Sequence, residues 1–220
     1  MSEFQIARRN MVDGQLRPSK VTDARILDVM SQLPREMFVG KSLQGISYVD
    51  EDIEISDDRY LIEPLVVARL VQALDLTKDT SVLVIGAATG YDAALIGRLA
   101  GSVVAVESDP HIVKHATMVI SHLGIDNVAV VECALQNGFA EQGPYDAIFF
   151  GGSVADVPSG ITAQLAPNGR MVAVIGGAEN GILGRATLMA KFDNSLSRRV
   201  LFDAGTRPLP GFEKAPAFAF

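Results

Sequence analysis

The chain is predicted to fold as a doubly wound α/β sheet. Three observations carry that expectation: short apolar runs recur at residues 82–85, 103–107, 128–132, 145–150 and 170–176, helix-like segments alternate with the first of them, and the first run ends in the small-residue turn Gly86-Ala87-Ala88-Thr89-Gly90. Near-continuous apolar strands are what parallel strands need when helices cover both faces of a sheet. At 220 residues, 48% hydrophobic and 20% charged, the chain is long and apolar enough for one substantial core, and no apolar run has the length of a membrane span.

Each element follows from periodicity and its boundary residues. Ile26, Val29, Met30 and Leu33 fall at the i, i+3, i+4, i+7 spacing of one helix face, with Thr22 placed as the N-cap and Pro34 beyond the end. Residues 35–58 show no sustained period, and Asp50, Glu51, Asp52, Glu54, Asp57 and Asp58 make them acidic, so they read as a solvated, loop-rich connection. Pro64 opens a helix to about residue 76, at a position where its missing N–H is not needed. Leu65, Val66, Ala68, Leu70, Val71 and Leu74 make this helix apolar enough to pack against a sheet.

From residue 82 onward strand and helix alternate. Strands 82–85 and 103–107 lead into helices near 91–100 and 110–123, strand 128–132 into a less regular connector, and strands 145–150 and 170–176 complete the parallel set. Residues 186–192 and 198–202 flank Asp193-Asn194-Ser195 and are expected to form an antiparallel hairpin at one sheet edge. The segments 208–212 and 216–220 are apolar enough to dock on the body of the protein.

Composition excludes several classes of function. A net charge of -7 argues against a broad phosphate-binding surface, because nonspecific nucleic-acid affinity comes from clustered Lys and Arg. Arg8 and Arg9 are followed by Asn10-Met11-Val12-Asp13-Gly14-Gln15, which is not the apolar core of a signal peptide. The single cysteine, Cys133, forms no internal disulfide and fits a reducing compartment. The expectation is a cytoplasmic protein engaging neither membrane nor nucleic acid.

The chemistry is expected at the turn. Small residues from Gly86 to Gly90 let a ligand approach the backbone, and the helix that follows offers unpaired N–H groups. Glu107 ends the second strand 21 positions after Gly86, near the spacing of ~20 residues at which an acid reaches a ribose hydroxyl in dinucleotide folds. The competing structural reading is tight strand-to-helix packing at the glycines and a solvated strand end at Glu107. A nicotinamide-dependent oxidoreductase would share the turn and the acid. His111, His115 and His122 share a helix flank, but His115 and His122 lie ~10 Å apart along the axis, too far for one metal ion. No metal site is expected. Cys133 follows a strand and reads as a small packed thiol, and no Ser-His-Asp arrangement with a nucleophile elbow is present.

The order of motifs resembles the protein-L-isoaspartate O-methyltransferase family of class I S-adenosylmethionine-dependent methyltransferases. The likeness covers nearly the whole chain: residues 11–17, Thr22-Asp23, residues 33–39, the turn from Gly86 to Tyr91, Val106-Glu107, Leu123-Gly124, Asn127-Val128, Pro144-Tyr145-Asp146, residues 165–170 and Arg207-Pro208-Leu209. It implies a Rossmann-like methyltransferase sheet of seven strands with strand seven antiparallel, plus an N-terminal helical segment. One methyltransferase-like domain over residues 1–220 is expected, with residues 1–62 as a helical and loop extension and 63–220 as the core. The implied cofactor is S-adenosylmethionine, held by Gly86, Thr89, Gly90, Glu107, Ser108 and Cys133. The implied partner is a peptide or protein carboxylate, or another small acceptor.

The chain departs from the family pattern at four positions. The family usually carries an acid where Val84 stands, a Gly at Ala88, an Asp near the adenine at Ala134, and a hydroxyl at Ile62 within Tyr60-Leu61-Ile62-Glu63-Pro64. Methyl transfer to a carboxylate needs no strong base, since a carboxyl group of ordinary pKa near about 4 is already ionised at neutrality. Positioning and desolvation carry the rate. Tyr60 is the candidate catalytic residue, offering a phenol two positions from Ile62. The four departures together motivate an alternative, a noncatalytic relative that keeps the fold as a binding or assembly module.

Overall fold

The computed structural model describes residues 2–177, 183–192 and 195–212. Asp193, Asn194 and the segment 216–220 lie outside them. Helix α1 (Glu3–Met11) begins at a capping box: the Ser2 hydroxyl accepts from the Gln5 N–H, and the Gln5 side chain accepts from the Ser2 N–H. The chain winds on through Val12–Leu16 and reaches α2 (Ala24–Gln32). Its cap is Asp23, whose carboxylate accepts the Arg25 N–H, and not Thr22. Thr22 instead donates its N–H to Gln72 Oε1 at 2.7 Å, docking this end on the next long helix.

Residues 35–58 are more ordered than their composition predicts. Arg35 and Phe38 are fully buried in a short 3-10 turn, and strand β1 (Ile53–Ser56) pairs antiparallel with β2 (Arg59–Leu61) in a sheet of their own. Strands this short, with an irregular register between Glu54 and Ser56, leave no period to detect. Helix α3 (Pro64–Leu74) then starts at Pro64 as expected.

The main sheet comprises β3 (Ser81–Ile85), β4 (Ser102–Glu107), β5 (Val128–Glu132), β6 (Tyr145–Val154), β7 (Leu165–Ile175), β8 (Gly184–Phe192) and β9 (Ser195–Ala204), in the order β5-β4-β3-β6-β7-β8-β9. Helices α4 (Tyr91–Leu99), α5 (Pro110–His122) and the short α6 (Ser159–Thr162) supply crossovers between parallel strands. One strand runs against the rest. It is β8, the sixth along the chain, because it turns straight back against β7 with no crossover helix, and β9 then returns beside it.

Alternation along the strands divides the core. Val82, Val84, Ala105, Phe149 and Val172 face one cluster with residues of α2, α3 and α4. Leu83, Ile85, Val106, Ile148, Phe150 and Met171 face the other, where Tyr145, Leu209 and Phe212 pack. The tail expected to dock therefore does so as far as Phe212. Chain order departs in opposite directions from β3 and β6, which are neighbours, so the crevice at their carboxyl ends is the switch point where such sheets bind ligands.

Candidate active site

The turn from Gly86 to Gly90 leaves β3 at this switch point. Gly86 (φ 78°) and Gly90 (φ 95°) occupy the left-handed region that glycine enters without a Cβ penalty. Ala88 stands there too, at φ 47°, and is not a glycine. The turn is locked by the Gly86 and Ala87 N–H groups donating to Val106 O, and by the Gly90 N–H donating to Ala87 O at 2.8 Å. All five residues of the turn are buried, including its polar side chain, Thr89, at 7% exposure. Thr89 Oγ1 has no hydrogen-bond partner among the described residues.

Glu107 ends β4 directly beside the turn and is fully buried. Its Oε2 accepts the Ala88 N–H at 2.8 Å, and its Oε1 accepts the Ser108 N–H at 2.8 Å, with the Ser108 hydroxyl at 3.4 Å. The spacing from Gly86 thus brings acid and turn into contact. Cys133, after β5, donates its N–H to the Glu107 carbonyl, while its half-buried thiol points to Gly138 O at 3.4 Å. Gly86, Thr89, Gly90, Glu107, Ser108 and Cys133 gather at one end of the sheet.

A residue not anticipated from sequence completes the cluster. Arg59, 4% exposed at the start of β2, holds the Glu107 carboxylate with two prongs, Nε to Oε1 at 3.2 Å and Nη2 to Oε2 at 2.6 Å. Such forked pairs are stronger and more directional than single bonds. Arg59 and Leu61 share the buried face of β2, but a three-residue strand carries no detectable period and the partner of Arg59 lies 48 positions on.

The neighbouring loops hold the side opposite the sheet. Asp52 accepts the Glu63 N–H at 2.9 Å and the Arg207 N–H at 2.8 Å, tying the hairpin to the start of α3 and to the C-terminal segment. Tyr60 is half-buried beneath the Arg207 guanidinium, 5.4 Å from its ring centroid. Ile62 is buried, and its carbonyl accepts from Arg35 Nη2 at 2.6 Å. Arg35 Nε also donates to Ser47 O at 2.8 Å, and the guanidinium lies over the Tyr91 ring at 4.6 Å.

Electrostatics here are set by burial. Asp92, in the first turn of α4, lies where a helix N-terminus favours an anion, yet loss of solvent dominates and raises its pKa to about 7, with Asp52 adding to the rise and Arg35 and Arg59 opposing it. Glu63 is also raised to about 7, first by desolvation and then by Asp50, Asp52 and Glu51. Among the described residues no cluster of three or more metal-ligating side chains occurs. His111 and His122 lie exposed on α5, with His115 half-buried.

In this conformation Glu107 has no acceptor position left for a ribose hydroxyl. Both Glu107 oxygens are engaged, and a Cβ at Gly86 would meet Leu209 Cδ2 at 2.5 Å and Arg59 Nη2 at 3.4 Å. Leu209 also covers Gly152, so its side chain occupies the crevice between β3 and β6. Of the four departures, Val84 is buried in the apolar cluster, Ala88 is in the turn and Ala134 is exposed.

A Rossmann-like methyltransferase is the class of protein that this sheet, its reversed strand and the acid beside the first turn define. Within it, the sequence model of the protein-L-isoaspartate (D-aspartate) O-methyltransferase family matches residues 7–201. The chain belongs to that family, one of S-adenosylmethionine-dependent O-methyltransferases. It is 34% identical over 211 residues to the protein-L-isoaspartate O-methyltransferase of Koribacter versatilis (strain Ellin345), covering 96% of this chain and 94% of that one. The enzyme of the same name from Syntrophus aciditrophicus (strain SB) is 34% identical over 201 residues, 91% and 92% of the two chains. A solved protein-L-isoaspartate O-methyltransferase superposes with a TM-score of 0.81 at 30% identity over 93% of this chain, which spans 66% of that longer one. A Plasmodium falciparum structure of a beta-aspartate methyltransferase in complex with S-adenosyl-L-homocysteine shares the fold, with a TM-score of 0.72 at 19% identity and coverage of 95% and 99%. Among the described residues no helix is long and apolar enough to cross a membrane.

Proposed function

We propose that the chain is an S-adenosylmethionine-dependent O-methyltransferase that esterifies a carboxylate of damaged protein or a closely related peptide acceptor. Gly86, Thr89 and Gly90 frame the adenosyl group in this reading, Glu107 is its ribose acceptor, and Ser108 and Cys133 border its base. The observation that carries it is the Glu107 carboxylate hydrogen-bonded to the turn itself, 2.8 Å from the Ala88 nitrogen at the switch point. S-adenosylmethionine supplies an electrophilic methyl group; the protein has only to hold an ionised acceptor in line and exclude water. Tyr60 borders the acceptor side, and Ile62 in place of a hydroxyl takes one hydrogen bond away from acceptor recognition, its own side chain being packed in the core.

The same reading makes residues 1–220 one domain, with 1–62 as an extension on the 63–220 core, in a cytoplasmic protein that acts on neither nucleic acid nor membrane. Incubation with S-adenosylmethionine and an isoaspartyl peptide, followed by mass spectrometry, tests it: a one-methyl mass gain on the peptide carboxylate is expected. No gain on isoaspartyl or aspartyl peptides, with no uptake of S-adenosylhomocysteine, would overturn it. The buried turn favours one second reading, a noncatalytic binding module. A stable protein partner recovered with no affinity for S-adenosylhomocysteine would select that alternative.

A further inference from the structure

The Glu107 carboxylate offers about four lone-pair positions, and four close N–H donors fill them: Ala88 N, Ser108 N, Arg59 Nε and Arg59 Nη2. Two of the four are backbone groups fixed by the turn and the strand end. The other two belong to one side chain and form a parallel fork, the same pattern that the two hydroxyls of a ribose diol present to a carboxylate. We infer that Arg59 is a built-in competitor for the ribose, so that the hydroxyls of an adenosyl ligand reach Glu107 only by displacing its guanidinium. This rests on the methyltransferase reading above.

The surroundings provide for the exchange. Arg59 is carried on β2, a three-residue strand in the small two-stranded sheet, and not on the seven-stranded one that carries Glu107. Its charge is also felt by Asp92, a buried carboxylate whose Oδ1 has no hydrogen-bond partner among the described residues. A guanidinium leaving Glu107 therefore meets the field of a second buried carboxyl group, and ionisation of that group as the cation turns towards it would offset part of the cost of an unpaired charge. Arg59 thereby sets the affinity of the site, and it links that affinity to the hairpin that leads into Tyr60 and Ile62.

Calorimetric titration with S-adenosylhomocysteine tests this in the full-length wild type, Arg59→Gln and the double variant Arg59→Gln/Glu107→Gln, each first checked for folding by thermal melting. Arg59→Gln is expected to bind at least ~10-fold more tightly than wild type, the scale of a charge-assisted contact no longer competed for, and the added Glu107→Gln change should remove the gain. Equal or weaker binding by folded Arg59→Gln, with the wild type binding, overturns the competition and leaves the methyltransferase reading standing. Absence of binding by wild type and Arg59→Gln alike at millimolar ligand overturns both. Because Arg59→Gln leaves a buried carboxylate less paired, a wild-type measurement stands beside it: the 15N resonance of Arg59 Nε should move on saturation with S-adenosylhomocysteine, and an unmoved resonance refutes displacement.

Discussion

Replacing Arg35 by Met is expected to destabilise the protein by about 3–5 kcal/mol, the scale of two charge-assisted hydrogen bonds lost from a buried side chain. The side chain is fully buried and joins two stretches that share no other described hydrogen bond through it: Ser47 O at 2.8 Å and Ile62 O at 2.6 Å. Each charge-assisted bond contributes roughly 1.5–3 kcal/mol, and the two carbonyls left behind add a desolvation penalty. Removing a buried charge offsets part of that loss, since Met brings no charge to desolvate. Urea unfolding at pH 7.5, with circular dichroism as readout, measures the sum. For a chain of this size the same loss lowers the melting temperature by roughly 6–20 °C. Arg35→Lys separates charge from geometry: it keeps the cation but lacks the planar fork, and should lie between Met and wild type. A Met variant within about 1 kcal/mol of wild type would refute the argument that Arg35 clasps the loop carrying Ile62.

Stability should also depend on pH through Asp92. Its folded pKa, raised to about 7 by burial, exceeds the unfolded value, so its contribution is fully present below the unfolded pKa and is lost as pH rises through about 7. Asp92→Asn is expected to flatten the decline in stability between pH 5.5 and 8, measured by urea unfolding across that range; an unchanged slope would argue that Asp92 is ionised and paired. Glu63, raised in the same direction, adds to the decline, and Glu63→Gln should reduce it further. Ala88→Gly relieves a left-handed backbone at φ 47° and should stabilise by about 1 kcal/mol, visible as a rise in melting temperature. Leu209→Ala empties the crevice over Gly86 and Gly152 and should cost about 2–5 kcal/mol in the same melts.

The parts of this fold that sequence makes legible are those governed by local periodicity. Strands β3 to β5 and helices α3 to α5 announce themselves because their buried faces repeat within one element, and Glu107 is found because its distance from Gly86 is fixed by one crossover. The reversed strand is not legible in the same way: the hairpin shows in the sequence, but which strand runs against the sheet depends on how the chain leaves β7. Arg35 and Arg59 escaped because their partners lie far along the chain. Arg35 reaches Ile62, 27 positions on, and Arg59 reaches Glu107, 48 positions on. In a segment rich in Asp and Glu, an arginine looks like a solvated counter-charge.

That disparity bears on how the four departures from the family pattern should be weighed. Judged singly, Ala88 adds a methyl group, while Val84 and Ala134 remove acceptors. Beside them the structure places a cation of the short hairpin, Arg59, against Glu107, the acid proposed to hold the ribose. An acid buried at 0% exposure needs a partner whenever no ligand is bound. Arg59 provides it, and so stabilises the empty site against an unpaired charge. The cost is imposed on the ligand, which must replace a forked ion pair with two neutral hydroxyl donors that bond a carboxylate less strongly. The feature that makes the ligand-free fold secure is therefore the one that weakens its grip on an adenosyl group, and both effects should shift together when Arg59 is changed.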